Sequence, residues 1–228
     1  MKVIIIGLGN FGRSLAQKLT LMGHEVIGVD NQMVKVETLK ESITHTVCLD
    51  CTDQHAVGYL PLKETDLVVV AIGEDQGSNI LATALLKQLK VKRLISRAIS
   101  VLHQTILEAM GVDEIVHPEE ETAERWAKKI NNIGIIDSFD LANEYSIVEA
   151  KVPEQLAGMT LAQAGLRRKY NVIILTTIKV TQGKNLLGIF RKSHKVQGIA
   201  SPETLFEKDD ILVLFGKNED IQRMIRLE

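Results

Sequence analysis

Gly7, Gly9 and Gly12 stand in the order G-x-G-x-x-G within VIIIGLGNFGRS, residues 3–14. Each glycine has a physical use. The first permits a tight turn, the second lets phosphate approach the backbone, and the third lets a helix pack closely on a strand. A helix opening at that turn offers free N–H groups and a positive dipole end to an anion. Asp30 closes the next apolar stretch, EVIGVD, where a carboxylate can accept from ribose hydroxyls. Asn31 and Gln32 follow it, with no arginine for a 2'-phosphate, so an unphosphorylated ribose is expected. The bland alternatives are a tight turn without a ligand and a cap for the helix expected over 31–39. The cap is compatible with ribose binding.

Catalytic chemistry is harder to find. His194 is the one histidine beyond residue 117, within the basic stretch RKSHK. His103 and His117 flank an expected helix and read as surface or capping residues. Neither H-E-x-x-H, G-x-S-x-G nor a Walker lysine occurs. Cys48 and Cys51 form a C-x-x-C, but a metal needs a second pair and a redox pair needs a thioredoxin-like helix start. They read as small residues at a strand end. Glu119, Glu120 and Glu121 suit either a divalent cation or the N-terminus of a helix. A small NAD-dependent oxidoreductase would need a proton-transfer group beside the nicotinamide, which this pattern does not supply. An NADH-linked redox sensor using both cysteines is the other alternative.

Composition narrows the classes. The 228 residues carry 27 basic and 29 acidic side chains, a net charge of -2, so no nucleic-acid partner is expected. Apolar residues make up 45%, yet no apolar run approaches the roughly 20 needed to cross a bilayer. No signal peptide is expected, and two cysteines suit a reducing cytoplasm.

The elements that must position these residues alternate in type. Strands are expected over 3–6, 25–29, 45–48, 66–72, 93–96 and 114–116. Helices are expected over 11–22, 34–39, 54–59, 79–89 and 101–110. The run DLVVVAI marks a strand covered on both faces. Such alternation implies a Rossmann-like, doubly wound parallel sheet in an α/β domain. Pro118 then opens a helix to residue 131 or 132, which Gly134 ends. From 145 onward the pattern becomes a small α+β subdomain. Strands are expected over 145–152, 172–179 and 211–215, a hairpin near Gly183, and helices over 160–165 and 219–226. The domains are expected at 1–136 and 137–228, with the linker within about 135–143.

At this point the chain resembles the RCK regulators of potassium transport, the cytosolic Trk and Ktr subunits. The resemblance rests on IIGLGNFGRSLAQKL, GHEVIGVD, the D-x-T of Asp50–Thr52, LVVVAIG and GVDEIVHPE. In the second half it rests on GMTLAQAGLRRKYNVIIL and KDDILVLFG. It implies a non-enzymatic domain that binds ATP, ADP or NAD(H). Gly7, Leu8, Gly9, Phe11 and Gly12 would line the phosphates and Asp30, followed by Asn31, would hold the ribose. Asp50 and Cys51 would sit beside the adenine. The segment AIGED, from Ala71 and Ile72 through Gly73 to Asp75, would close over the cleft. Arg97 would face the terminal phosphate, and Glu119 matches an acid that some members use for a cation. Asn10 stands where Ktr-type relatives often carry arginine, so a phosphate-directed charge comes from Arg13 or Arg97, or ATP is bound less selectively and NAD(H) and AMP remain open. Arg167, Arg168 and Asn171 match a region that binds cyclic di-AMP, or form a solvated basic turn. The resemblance also implies a homo-dimer assembling into an octameric ring. That ring would be cytoplasmic, held at the inner face of the membrane by a potassium channel or transporter subunit that it gates.

Overall fold

The structure, a computed structural model, describes residues 1–131, 134–141, 144–184 and 190–227. The chain divides into two compact units, Met1–Glu121 and Thr122–Glu228.

The first unit contains β1 (Lys2–Ile6), α1 (Asn10–Leu21), β2 (Glu25–Asp30), α2 (Met33–Leu39), β3 (His45–Cys48) and α3 (Gln54–Gly58). It continues with β4 (Leu67–Val70), α4 (Gln76–Gln88), β5 (Leu94–Arg97), α5 (Val101–Ala109) and β6 (Glu114–Val116). Its six strands are all parallel, in the order β3-β2-β1-β4-β5-β6. This is the Rossmann-like, doubly wound α/β sheet expected from the alternation.

The side-chain period of a strand explains the layers. Val3, Ile5, Val26 and Val69 pack with Ala16, Val36 and Leu39 on one face of the sheet. Ile4, Ile6, Ile27, Val29, Val68 and Val70 pack with Ala82 and Leu86 on the other. Runs such as VIII are apolar throughout because both faces are covered. The strand order reverses direction between β1 and β4, and a doubly wound sheet places its ligand crevice at that point.

Helix α6 (Pro118–Asn131) begins in the first unit and continues in the second. The alternative end at Asn132 lies outside the described residues. Glu119, Glu120 and Glu121 occupy its first turn and Lys128 and Lys129 its last, which suits the helix dipole.

The second unit follows with β7 (Ile135–Asp140), β8 (Tyr145–Lys151), α7 (Leu161–Ala164), α8 (Leu166–Tyr170), β9 (Ile173–Lys184), β10 (Phe190–Val196), β11 (Ile211–Lys217) and α9 (Asn218–Arg226). Its sheet is antiparallel, in the order β10-β9-β11-β8-β7. Val148, Ala150, Ile174, Leu212 and Leu214 bury one side with Leu166, Ile221 and Met224. The tip of the β9–β10 hairpin, just past Gly183, lies outside the described residues.

Two elements differ from the sequence reading. Residues 135–140, within the stretch expected to hold the domain boundary, form β7. It is an edge strand with a single partner and a register irregularity between Ile135 and Asp137, so its alternation is broken. LRRKY, expected as a basic turn, is the short helix α8, closed by Asn171 in the left-handed region at φ 53°.

Candidate functional site

The glycine-rich turn leaves β1 and enters α1. Gly7 has φ 93°, which favours glycine, and a Cβ on Gly12 would run into the Gly7 carbonyl, so α1 packs directly on the turn. Gly9 is the N-cap of α1 and makes no side-chain cap, so the first N–H groups of the helix point free of any internal acceptor.

A cleft of about 410 Å³ opens beside this turn. That lies within the roughly 300–1,000 Å³ range of small-molecule sites. Gly7, Gly9, Asn10 and Phe11 line it from the turn, and Asp30 and Asn31 from the end of β2. Asp50 and Cys51 line it from the loop after β3, and Ala71, Ile72 and Gly73 from the loop after β4. Arg97 from β5 and Glu119 from α6 complete this set. Three expected residues do not line the space. Leu8 is buried in the core, and only its backbone N–H acts locally, donating to Asp30 Oδ2 at 2.7 Å. Gly12 lies behind Gly7 and serves packing. Arg13 is exposed and does not line the cleft.

Asp30 is 7% exposed. Its Oδ1 accepts from the Gln32 N–H at 2.9 Å, and the Leu8 bond ties the glycine turn to the end of β2. Each oxygen keeps lone-pair capacity for a hydroxyl. Asp50 organises its own loop, its Oδ1 accepting from the N–H and hydroxyl of Thr52. Burial, with Asp50 and Asp30 nearby, pushes the Cys51 thiol up to about 12, so Cys51 is a neutral wall and not a nucleophile. Cys48 is exposed and does not line the cleft.

At the other end, the Arg97 guanidinium packs against Gly73 and pairs with Glu119 at 2.5 Å. Its Nε is buried without a hydrogen-bond partner. Glu119 therefore binds a cationic side chain. Among the described residues no three His, Cys, Asp or Glu side chains are grouped to hold a metal.

Sequence reasoning missed several lining residues. Lys35 sits 3.8 Å from Asp30 Oδ2 and Ser78 lies at the start of α4, beside Glu74 and Asp75 of the AIGED segment expected over the cleft. It also missed Asn79, fully buried on α4, whose amide nitrogen donates to the carbonyls of Ile72 (2.9 Å) and Arg97 (3.2 Å). A single asparagine inside the apolar helix SNILATALL was the available signal. His103, expected at the surface, is buried at 1% exposure, and burial lowers its pKa. The cap at that helix is Ser100, whose hydroxyl accepts from the His103 N–H.

In the second unit, Arg167 and Arg168 are exposed on α8. Asn171 instead donates to Asp220 Oδ2 at 3.3 Å, joining the end of α8 to the start of α9.

With this geometry in hand, comparisons place the chain among known proteins. The model of the TrkA-N domain matches residues 3–118. Ktr system potassium uptake protein C of Bacillus subtilis (strain 168) is 34% identical over 219 residues, covering 96% of this chain and 93% of that protein. Among solved structures, the GsuK RCK domain shares the fold across 99% of this chain and 47% of its own, with a TM-score of 0.63 and 18% identity. The NAD(P)-binding domain of an exopolyphosphatase-related protein from Archaeoglobus fulgidus covers 57% of this chain and 96% of its own, at 26% identity and a TM-score of 0.51.

Proposed function

The chain belongs to the TrkA-N domain family, and from that premise we propose that it is a regulatory subunit of potassium uptake that senses an adenine nucleotide. The observation that carries the reading is the convergence of four features on one cleft. These are the glycine turn with its free helix N–H groups, Asp30, the Asp50–Cys51 wall and Arg97. Adenine takes the Asp50–Cys51 end, ribose takes Asp30, and the phosphates lie against Gly9–Phe11 toward Arg97. We assign residues 1–136 to this nucleotide-binding domain, crossover helix included, and 137–228 to a smaller ligand-binding subdomain.

Asp30, Asp50, Glu74, Asp75 and Glu119 face only Lys35 and Arg97 in the lining, and Asn10 brings no charge to the turn. This balance favours a ligand of few phosphates, such as ADP or NAD(H), or an ATP whose phosphates carry a divalent cation. A cation at Glu119 would draw its remaining ligands from those phosphates or from a second copy of the chain. Arg167 and Arg168 have the charge for cyclic di-AMP phosphates, whereas the Asn171 amide is already engaged by Asp220.

No helix among the described residues is long and apolar enough to cross a membrane. In the proposed reading the subunit is cytoplasmic and reaches the membrane through a potassium channel or transporter subunit, as a homo-dimer built into an octameric ring. The nucleotide acts by binding two states of the ring unequally, without being turned over.

Thermal unfolding of the full chain with AMP, ADP, ATP, NAD and NADH tests the reading. A ligand bound only by the folded state raises the melting temperature in step with its occupancy. Asp30→Asn, which keeps an acceptor for the Leu8 N–H, is expected to lose most of the shift. A shift that survives this change removes the ribose assignment.

A further inference from the structure

The cleft has a cation at its ribose end that comes from neither the glycine turn nor the residues directly after Asp30. Lys35 lies on α2, and its Nζ stands 3.8 Å from Asp30 Oδ2 and 3.9 Å from Glu74 Oε2. The three groups belong to different walls. Asp30 ends β2, Lys35 projects from the following helix, and Glu74 sits in the loop between β4 and α4, beside the Asp75 that caps α4. Their exposure is graded. The Asp30 side chain is 6% exposed, Lys35 27% and Glu74 84%, so the ammonium spans from the cleft floor to its mouth.

The partners of Asp30 decide what a ribose would displace. Leu8 donates to Oδ2 at 2.7 Å and Gln32 to Oδ1 at 2.9 Å, both from rigid backbone. Lys35, at 3.8 Å, is beyond hydrogen-bond distance and is carried on a flexible side chain. A hydroxyl arriving at Oδ2 therefore displaces the ammonium and leaves the backbone bonds intact. The carboxylate next within its reach is Glu74, on the opposite wall.

We propose that Lys35 and Glu74 form a clasp operated by the ribose. The bound ribose takes Asp30, Lys35 turns fully to Glu74, and the α2 wall becomes tied to the loop that opens α4. This deepens the adenosine reading above and rests on it. Occupancy of the ribose subsite is thereby transmitted to the N-terminus of α4. The same helix holds the ends of β4 and β5 through Asn79.

Because Glu74 is open to solvent, the clasp has the strength of an exposed ion pair, up to roughly fivefold in an equilibrium constant. Because it closes over the ribose, its effect is independent of the number of phosphates.

Calorimetric titration and stopped-flow dissociation with AMP, ADP, ATP, NAD and NADP test the clasp. The full-length wild type is compared with Lys35→Ala, Glu74→Ala, the double variant and the charge exchange Lys35→Glu with Glu74→Lys. Each single variant is expected to release AMP, ADP, ATP and NAD roughly two- to fivefold faster, by the same factor for each. The double variant is expected to be no worse than either single one, and the charge exchange to recover most of the loss. High salt erases the difference. A loss that grows from AMP to ATP makes Lys35 a phosphate ligand and overturns the clasp. A loss confined to NADP makes it a reader of the 2'-phosphate, with the same consequence. If the wild type binds and the variants bind equally, the clasp alone fails. If the wild type binds no probe, the adenosine reading fails first and takes the clasp with it. Melting temperatures without ligand, unchanged among the variants, exclude a folding defect.

Discussion

Asn79 shows how one side chain outside the glycine motif shapes the cleft. Its amide nitrogen satisfies the carbonyls of Ile72 and Arg97, and its Oδ1 accepts from the Ser96 hydroxyl at 3.0 Å, with Thr83 alongside. All of these polar side chains are buried. The network fixes where β4 and β5 stop, and so where Gly73 and Arg97 face each other. Asn79→Ala removes the donor from two partly buried carbonyls, at a cost of about 2–3 kcal/mol if water does not replace it. A fall in the urea unfolding midpoint of the full chain is the expected reading, with weaker nucleotide binding where protein remains folded. A midpoint within error of the wild type would show that water replaces the amide and that the network is not what holds the cleft. Gly7, Gly9, Gly12 and Asp30 were legible because their roles follow from local spacing. Lys35 and Asn79 were not, and Glu74 was legible only as part of the segment AIGED, because their relation to Asp30 and Arg97 exists only once helices bring them across the sheet edge.

Among the elements, α6 and β7 are joined by charge. Arg125 Nε donates to Asp137 Oδ1 at 2.8 Å, and Lys128 pairs with Asp140. Arg125 holds the Asp137 carboxyl below the usual range, and Lys128 does the same for Asp140. A carboxyl depressed in the folded state stabilises it fully above its unfolded pKa, near 4. That contribution is lost as pH falls through the depressed value. The chain has one tryptophan, Trp126, and it lies on α6 between the two paired cations. Its fluorescence is expected to stay constant from pH 7 to about 5 and to change below about pH 4 as the helix loosens from β7. The double variant Asp137→Asn with Asp140→Asn is expected to show the loosened signal already at pH 7 and a flatter acid limb. The pairs are partly exposed, so added salt moves the wild type toward the variant. An acid transition identical in both proteins would assign it to other carboxyls. The parallel strands were readable from β-branched runs buried on both faces. β7 was not, since an edge strand that carries Asp137 and Asp140 for a neighbouring helix lacks the apolar alternation that announces a strand.

At the scale of the whole molecule, the first unit exposes large apolar side chains on two of its helices. Leu81 on α4 is 56% exposed, and Val101 and Leu102 on the neighbouring α5 are 82% and 72% exposed. Where exposed apolar side chains on adjacent helices form one patch, that patch is a candidate interaction surface. In the proposed ring it is covered by a second copy of the chain, paired helix face to helix face. In that proposed arrangement a nucleotide does work by shifting an equilibrium between states of the paired copies that bind it unequally. Leu102→Glu places a charge in this face, while the side chain stays solvated in the isolated unit. The variant is therefore expected to fold with an unchanged far-ultraviolet spectrum and to keep its cleft. Sedimentation equilibrium at micromolar concentration is expected to show the wild type as a large assembly and the variant as smaller species. Nucleotide affinity of the dissociated variant is expected to persist while any cooperativity between sites disappears, since the sites then report on one copy alone. A wild type that sediments as a monomer with and without nucleotide would remove the ring, and with it the proposed route from this cleft to a membrane partner.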